Sequence, residues 1–356
     1  MPKISFNNKK SPFFSVLREK VNQYFANNKI DTAGNRKLYI KGLIQISSAI
    51  LLYVTLVFFT PGNFLAILLC GLLGINFALI GFNVMHEGGH QSLSKYKSIN
   101  TMGAYALNIL GGNTYFWKIK HNVNHHTYTN IAGMDDDMEV KPFMRLSDTQ
   151  PRYWFHKFQH LYCLVLYGIS YFAWVFWDDF AKYFTGKVAS GNQKKFAPKE
   201  HLIFWVSKLS YIGIYIVFPV FMVGLVKVLI GFAIVTFVCG FSIAIVFQLA
   251  HIVKDTHFPL PNKLSNKIEE EWAIHQINTT ANFSTKSKVV SWLMGGLNFQ
   301  VEHHLFPKVS HVHYPKINQF VKETCEQFNI KYIEYPTVFK AIASHLSHVK
   351  RLGRAG

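Results

Sequence analysis

Charge is scarce in this chain, and acid is scarcer still. Only 16% of the 356 residues are charged, and 19 Asp and Glu stand against 37 Lys and Arg, giving a formal charge of +18. That balance excludes an acidic disordered tail and leaves nucleic acid, anionic lipid headgroups and acidic ligands as attracted partners. The four cysteines, Cys70, Cys163, Cys239 and Cys325, are widely spaced and form no CxxC pair. Neither a disulfide framework nor an iron–sulfur or zinc-ribbon site is expected from them. The chain lacks an internal repeat, a low-complexity tract, a phosphate loop and a dinucleotide fingerprint. Its first 42 residues are polar and basic (Lys9, Lys10, Arg18, Lys29, Arg36), without the layout of a cleaved signal peptide.

What is plentiful is apolar surface. Half of the residues are apolar and 16% are aromatic, the composition of a membrane protein rather than of a soluble chain of this length. Four runs approach the roughly 20 helical residues that cross a bilayer: 43–59, 64–82, 202–222 and 229–250. They pair into two hairpins whose connections, 60–63 and 223–228, carry only Lys227, whereas the other polar segments hold nearly all the Lys and Arg. Those segments are therefore expected in the cytosol. A fifth run, 161–177, ends in Asp178 and Asp179. It is expected to lie along the interface, because a crossing would put the histidine clusters before and after it on opposite faces of the membrane. The expected fold is an all-α integral membrane protein with four transmembrane helices in two hairpins, an interfacial helix, and a cytosolic cap holding a histidine-rich dimetal site. Residues 1–42 read as a basic N-terminal segment and 43–356 as the membrane domain.

Histidine is the anomaly, with 17 residues. His86 and His90 in HEGGH sit at i and i+4 directly after the second apolar run, so a continuing helix projects both from one face. The string matches the zinc-protease pattern HExxH. Two clusters follow: His121, His125 and His126 in HNVNHHTYTN, then Gln300, His303 and His304 in QVEHHLFP. Each ends in adjacent histidines, which diverge by about 100° on a helix and suit two neighbouring metals. The clustered histidines outnumber the three protein ligands of a catalytic zinc and the axial ligands of a haem. An imidazole set without thiolate suits iron, copper, nickel or zinc rather than magnesium or calcium. Isolated histidines such as His156, His201, His345 and His348 read as solvated.

The order HEGGH, HNVNHH, QVEHH resembles the three histidine boxes of the membrane-bound fatty acid desaturases. The paired apolar helices, the HTYTN run and the GGLNFQVEHHLFP context share the resemblance, which covers most of the chain, and the Gln heading the third box is similar to the front-end acyl desaturases. The resemblance implies two iron ions at the cytosolic helix ends, with O2 as oxidant, placing a cis double bond in an acyl chain. It implies His86, His90, His121, His125, His126, His303 and His304 as iron ligands and adds His251 in FQLAH, at the end of the last apolar run. Gln300 is then a ligand, a supporting donor or a water anchor. His275, in EWAIHQINTTANF, is either a ligand or a supporting residue. The HPGG haem signature of a fused cytochrome b5 domain is absent, so a separate ferredoxin or cytochrome b5 type electron donor is expected. A basic surface would attract that donor, the acyl-CoA or acyl-lipid substrate, and membrane lipids; no nucleic acid is implied. The rival readings are a membrane lipid or hydrocarbon hydroxylase, a zinc protease and a metal-binding or metal-transport membrane protein.

Other features read as support. Asp135, Asp136, Asp137 and Glu139 form an acidic run, solvated or orienting the box histidines. His311 and His313, with Pro307 and Pro315, read as a structural turn. Glycine pairs beside the boxes, such as Gly88 and Gly89, fit close backbone approach or ordinary turns.

Overall fold

The computed structural model describes residues 4–138, 140–189, 191–192 and 196–355; Glu139 of the acidic run lies outside them. In chain order the helices are α1 (Phe13–Asn28), α2 (Arg36–Phe58), α3 (Asn63–Gly89), α4 (Lys97–Ile109), α5 (residues 114–128), α6 (Trp154–Thr185), α7 (Pro198–Val223), α8 (Leu225–His251), α9 (Trp272–Thr279), α10 (Lys288–Leu293), α11 (Gln300–Leu305), α12 (Tyr314–Gln327) and α13 (Val338–Arg354). Strand is confined, among the described residues, to three two-residue ladders. The four cysteines are buried and free. The chain forms two compact units: residues 35–119 and 164–245 make one, and the described parts of 1–34, 120–163 and 246–356 the other.

The first unit is apolar. Asn35 starts α2 by accepting hydrogen bonds from the Lys37 and Leu38 amides, and Gly224, at φ 87°, separates α7 from α8. Five helices are long and apolar enough to cross a membrane: α2, α3, α6, α7 and α8. The fifth of these is α6, whose 32 residues extend well beyond the run at 161–177 on both sides. Helices of this unit approach closely through glycine. A Cβ at Gly74 of α3 would lie 2.6 Å from the Val235 carbonyl of α8, and one at Gly240 of α8 would lie 2.6 Å from the Gly168 carbonyl of α6.

A buried ion pair ties α6 to α7. Lys208 Nζ donates to Asp179 Oδ2 at 2.9 Å, to the Val175 carbonyl at 2.8 Å and to the Gly111 carbonyl at 2.6 Å. Both side chains are out of solvent, so each charge depends on the other. Replacing Lys208 by Met leaves Asp179 uncompensated and is expected to cost roughly 3–5 kcal/mol. The check is the thermal melt of the solubilised protein, in which Lys208→Met combined with Asp179→Asn should recover part of the loss.

The second unit is polar outside and apolar within. Phe13, Leu17, Val21 and Phe25 recur every fourth residue of α1, and that stripe is buried among Ala273 and Ile277 of α9, Val301 and Leu305 of α11, and Ile317 and Val321 of α12. The basic N-terminal segment is thus also a core element. Helix α13 is capped by Thr337 and buries one face. On that face His345 and His348 are sealed in, as is His156 elsewhere in the unit, which corrects the reading of these three as solvated. His345 Nδ1 donates to the Ile252 carbonyl at 2.6 Å, and the His348 ring stacks on Phe258. His201 is exposed as expected.

Burial lowers the pKa of both His345 and His348 from 6.5 to about 4, at His348 with help from the Arg351 charge. Protons therefore bind the unfolded chain more tightly than the folded one. The stabilisation is complete above pH 6.5 and is lost as pH falls toward 4, by up to roughly 3 kcal/mol per histidine. Melting temperature should fall between pH 7 and pH 5, and His348→Leu should show a smaller fall than the parent.

Candidate metal centre

The first box belongs to the apolar unit. α3 passes through a π-helical turn at Gly81–Met85 and continues to Gly89, so His86 and His90 share a helix face with ring centroids 4.6 Å apart. Both rings also pack on Trp117, at 5.8 and 5.7 Å. The glycines between them are required by their neighbours. A Cβ at Gly88 would meet the Ala104 amide at 2.5 Å, and one at Gly89 would meet the Trp117 ring at 2.3 Å.

The second and third boxes and His251 belong to the polar unit. The second box lies on the π-helical stretch Lys118–His125 of α5. A π turn closes on i+5 instead of i+4, so His126 as well as His125 returns toward His121; the His121 ring lies 5.2 Å from His125 and 4.9 Å from His126. Ligand atoms of His125, His251 and His304 lie within 4.8 Å of one another, as do those of His126, His303 and His304, and those of His121, His125 and Asp137. The adjacent pair His125 and His126 separates into different groups, as its divergence predicts. The pair His303 and His304 shares one group despite that divergence, both rings packing on His126 at 4.6 and 4.4 Å.

Four imidazoles are held through the same ring nitrogen. His125 Nδ1 faces Asp135 Oδ2 at 3.1 Å, and His304 Nδ1 faces Gln276 Oε1 at 2.7 Å. His303 Nδ1 meets the Tyr314 hydroxyl at 3.2 Å, and His251 Nδ1 meets the Thr279 carbonyl at 3.4 Å. Anchoring Nδ1 turns Nε2 inward, the orientation of a metal-ligating histidine. His125 Nε2 is buried with no protein hydrogen-bond partner. Gln300 sits at the edge, its amide nitrogen 2.9 Å from His251 Nε2. Burial opposes charge on His125, yet the Asp135 and Asp137 carboxylates outweigh it and hold the pKa above the ordinary value. At His121 burial prevails over the more distant Asp137 and the pKa is lowered. This buried, nitrogen-rich donor set without thiolate fits a transition metal.

The supporting residues are mostly ones that sequence reading passed over. Asp135 is fully buried and also accepts from the Asn130 and Asp137 amides at 2.9 and 3.0 Å, so this part of the acidic run orients a box histidine. Asn130, in the left-handed region at φ 59°, donates from one amide nitrogen toward the carbonyls of His251, His257 and Thr279. Glu302, inside the third box, is fully buried and receives Asn282, Asn318 and Tyr332 at 2.6, 3.0 and 3.2 Å. Burial raises its pKa, against the hydrogen bonds from Asn282 and Asn318. His275 is buried beside Phe6 and joins none of the converging groups; its pKa falls to about 3 through burial. Glu87, the general base that the zinc-protease pattern requires, is buried and bonded to Ser92 Oγ at 3.1 Å.

Long apolar helices and a buried imidazole cluster define a membrane protein with a site able to hold metal. Known proteins narrow the class. Residues 60–336 match the family model described as fatty acid desaturase. The chain is similar to an acyl-lipid (8-3)-desaturase of Physcomitrium patens, 34% identical over 96% of this chain and 72% of that one. It is also similar to an sn-1 linoleoyl-lipid 6-desaturase of Synechocystis, 34% identical over 99% and 98% of the two chains. An Arthrospira platensis protein of the same name is 31% identical over 98% and 95%. The chain belongs to the fatty acid desaturase family, whose members are oxidoreductases of lipid metabolism.

Asp135→Asn keeps the shape of the His125 anchor and removes its charge. Bound metal per chain, read by elemental analysis after dialysis against graded chelator, should reflect a loss of affinity of roughly 10–100-fold.

Proposed function

We propose that this desaturase is of the front-end, acyl-lipid type, with two iron ions held by His86, His90, His121, His125, His126, His251, Gln300, His303 and His304. The observation that carries the reading is the convergence of buried imidazoles whose ligand atoms lie within 4.8 Å of one another, four of the rings being fixed through Nδ1. Bound iron supplies the activation of O2 needed to take hydrogen from an unactivated methylene. The chain's own part is to orient and to exclude. Asp135, Gln276, Tyr314 and Thr279 fix the ring planes, and the apolar helices keep water from the acyl chain. Gln300, against His251 Nε2, either ligates or orients that ring; His275 acts as a supporting residue. The acyl-lipid substrate and the front-end position are supported by the names of the relatives and by the Gln in the third box. The electrons come from a separate ferredoxin or cytochrome b5 type protein, drawn to the excess of Lys and Arg.

The topology that goes with this reading is four crossings, with α6 along the interface and the histidine boxes in a cytosolic cap. Residues 43–356 form the desaturase domain and 1–42 its N-terminal segment. The scarcity of Lys and Arg in the hairpin connections supports it.

The decisive test is product analysis in a host with a compatible electron donor, fed saturated, monoenoic and dienoic acids. Mass spectrometry of derivatised lipids should show acids two mass units lighter, with one new cis bond between an existing bond and the carboxyl end. A product heavier by one oxygen would establish a hydroxylase, and a bond on the methyl side would sink the front-end assignment. Purified protein should hold two irons per chain, and His125→Ala or His303→Ala should abolish activity while the protein stays in the membrane.

A further inference from the structure

The apolar unit carries a line of polar side chains that the metal centre does not use. On α2, Lys41, Gln45 and Ser48 fall at i, i+4 and i+7; on α3, Asn76, Asn83 and Glu87 fall at i, i+7 and i+11. The α2 set therefore occupies one helix face, and α3 packs against that face. Asn76 Nδ2 donates to Ser48 Oγ, and a Cβ on Gly42 would touch Val84 at 3.2 Å. All but Ser48 are buried, Gln45 to 2% exposure, while Leu43, Ile44, Ile50 and Leu51 of the same helix are exposed.

Polar side chains join membrane helices by bonding to each other. Gln45 does not fit that role, because both its amide nitrogen and its amide oxygen lack a protein partner, as does Asn76 Oδ1. An unmet buried polar group destabilises the fold, whereas an ordered water with two to four polar neighbours removes most of that cost. Gly81 is buried in the π turn of α3, yet beyond its own chain neighbours and helix backbone nothing lies within 4 Å of where its Cβ would stand. The line ends at Glu87, the chain neighbour of His86 in the first box.

We propose that the α2–α3 seam binds a row of ordered water and that this row supplies protons to the metal centre. The balance of the reaction creates the need. Converting –CH2–CH2– to –CH=CH– with O2 as oxidant yields two waters and consumes two electrons from the external redox protein and two protons from solvent. Polar and ionisable side chains within membrane helices mark ion pathways and proton relays. The role in turnover rests on the O2-dependent reading above; the hydration does not.

Two measurements on the whole protein in lipid test this. Magnetisation transfer from water to side-chain amides, in protein carrying 15N-glutamine and 15N-asparagine, should reach Gln45, its signal assigned by its absence in Gln45→Leu. No transfer would overturn the water site whether or not the protein is a desaturase. Gln45→Leu should melt no lower than the parent, yet turn over about tenfold more slowly, with an enlarged solvent deuterium isotope effect. Gln45→Ser, which keeps a hydroxyl for water, should restore most of the rate. Unchanged turnover and isotope effect in Gln45→Leu would overturn the proton role. A parent protein that makes no unsaturated product would instead overturn the proposed function.

Discussion

An imidazole can offer a fixed lone pair at Nε2 only if its Nδ1 proton is taken by something that does not move. The polar unit is organised around that constraint. The four acceptors and partners, Asp135, Gln276, Tyr314 and Thr279, come from a loop, from the middle of α9, from the start of α12 and from the end of α9. None is fixed until those segments are packed together. This is why α1, far from the boxes in sequence, belongs to the centre's foundations: its apolar stripe clamps α9, α11 and α12 from one side. Three of those anchors also serve other bonds, Asp135 capping backbone amides and Gln276 Oε1 accepting from Thr129 at 2.8 Å, while Asn130 gathers the Thr279 carbonyl with two others.

The histidine clusters were legible because convergence on one site leaves a spacing in sequence, and a long apolar helix leaves a length. His86 and His90 could be placed on one face from i, i+4 alone. His251 needed the family resemblance, since a histidine at a helix end has no pattern of its own. The anchors left no such trace. Asp135 stood in an acidic run read as solvated or orienting the box histidines, with nothing to single it out from its neighbours; what marks it and Asn130 is burial, which depends on distant segments folding over them. The π turns at 81–85 and 118–125 were equally invisible, because insertion of one residue into a helical turn changes no composition. Reading His345 and His348 as solvated failed for a related reason. Their i, i+3 placement is an amphipathic stripe, and its polar members were taken to face water when it is the inward face of α13. For α6, composition could measure the apolar run but not the polar turns that extend it at both ends to 32 residues.

The six-residue helix α11 is far too short to hold its own conformation, yet it bears both histidines of the third box. Its rigidity is borrowed through Glu302, gripped by Asn282, Asn318 and Tyr332. On the proposed reading of these histidines as iron ligands, a lesion at Tyr332 would therefore register as an enzyme that is made, inserted and yet poorly metallated. Diagnosis by metal supplementation would fail in such a variant, because what has been lost is the preorganised angle between two rings and not the supply of the ion.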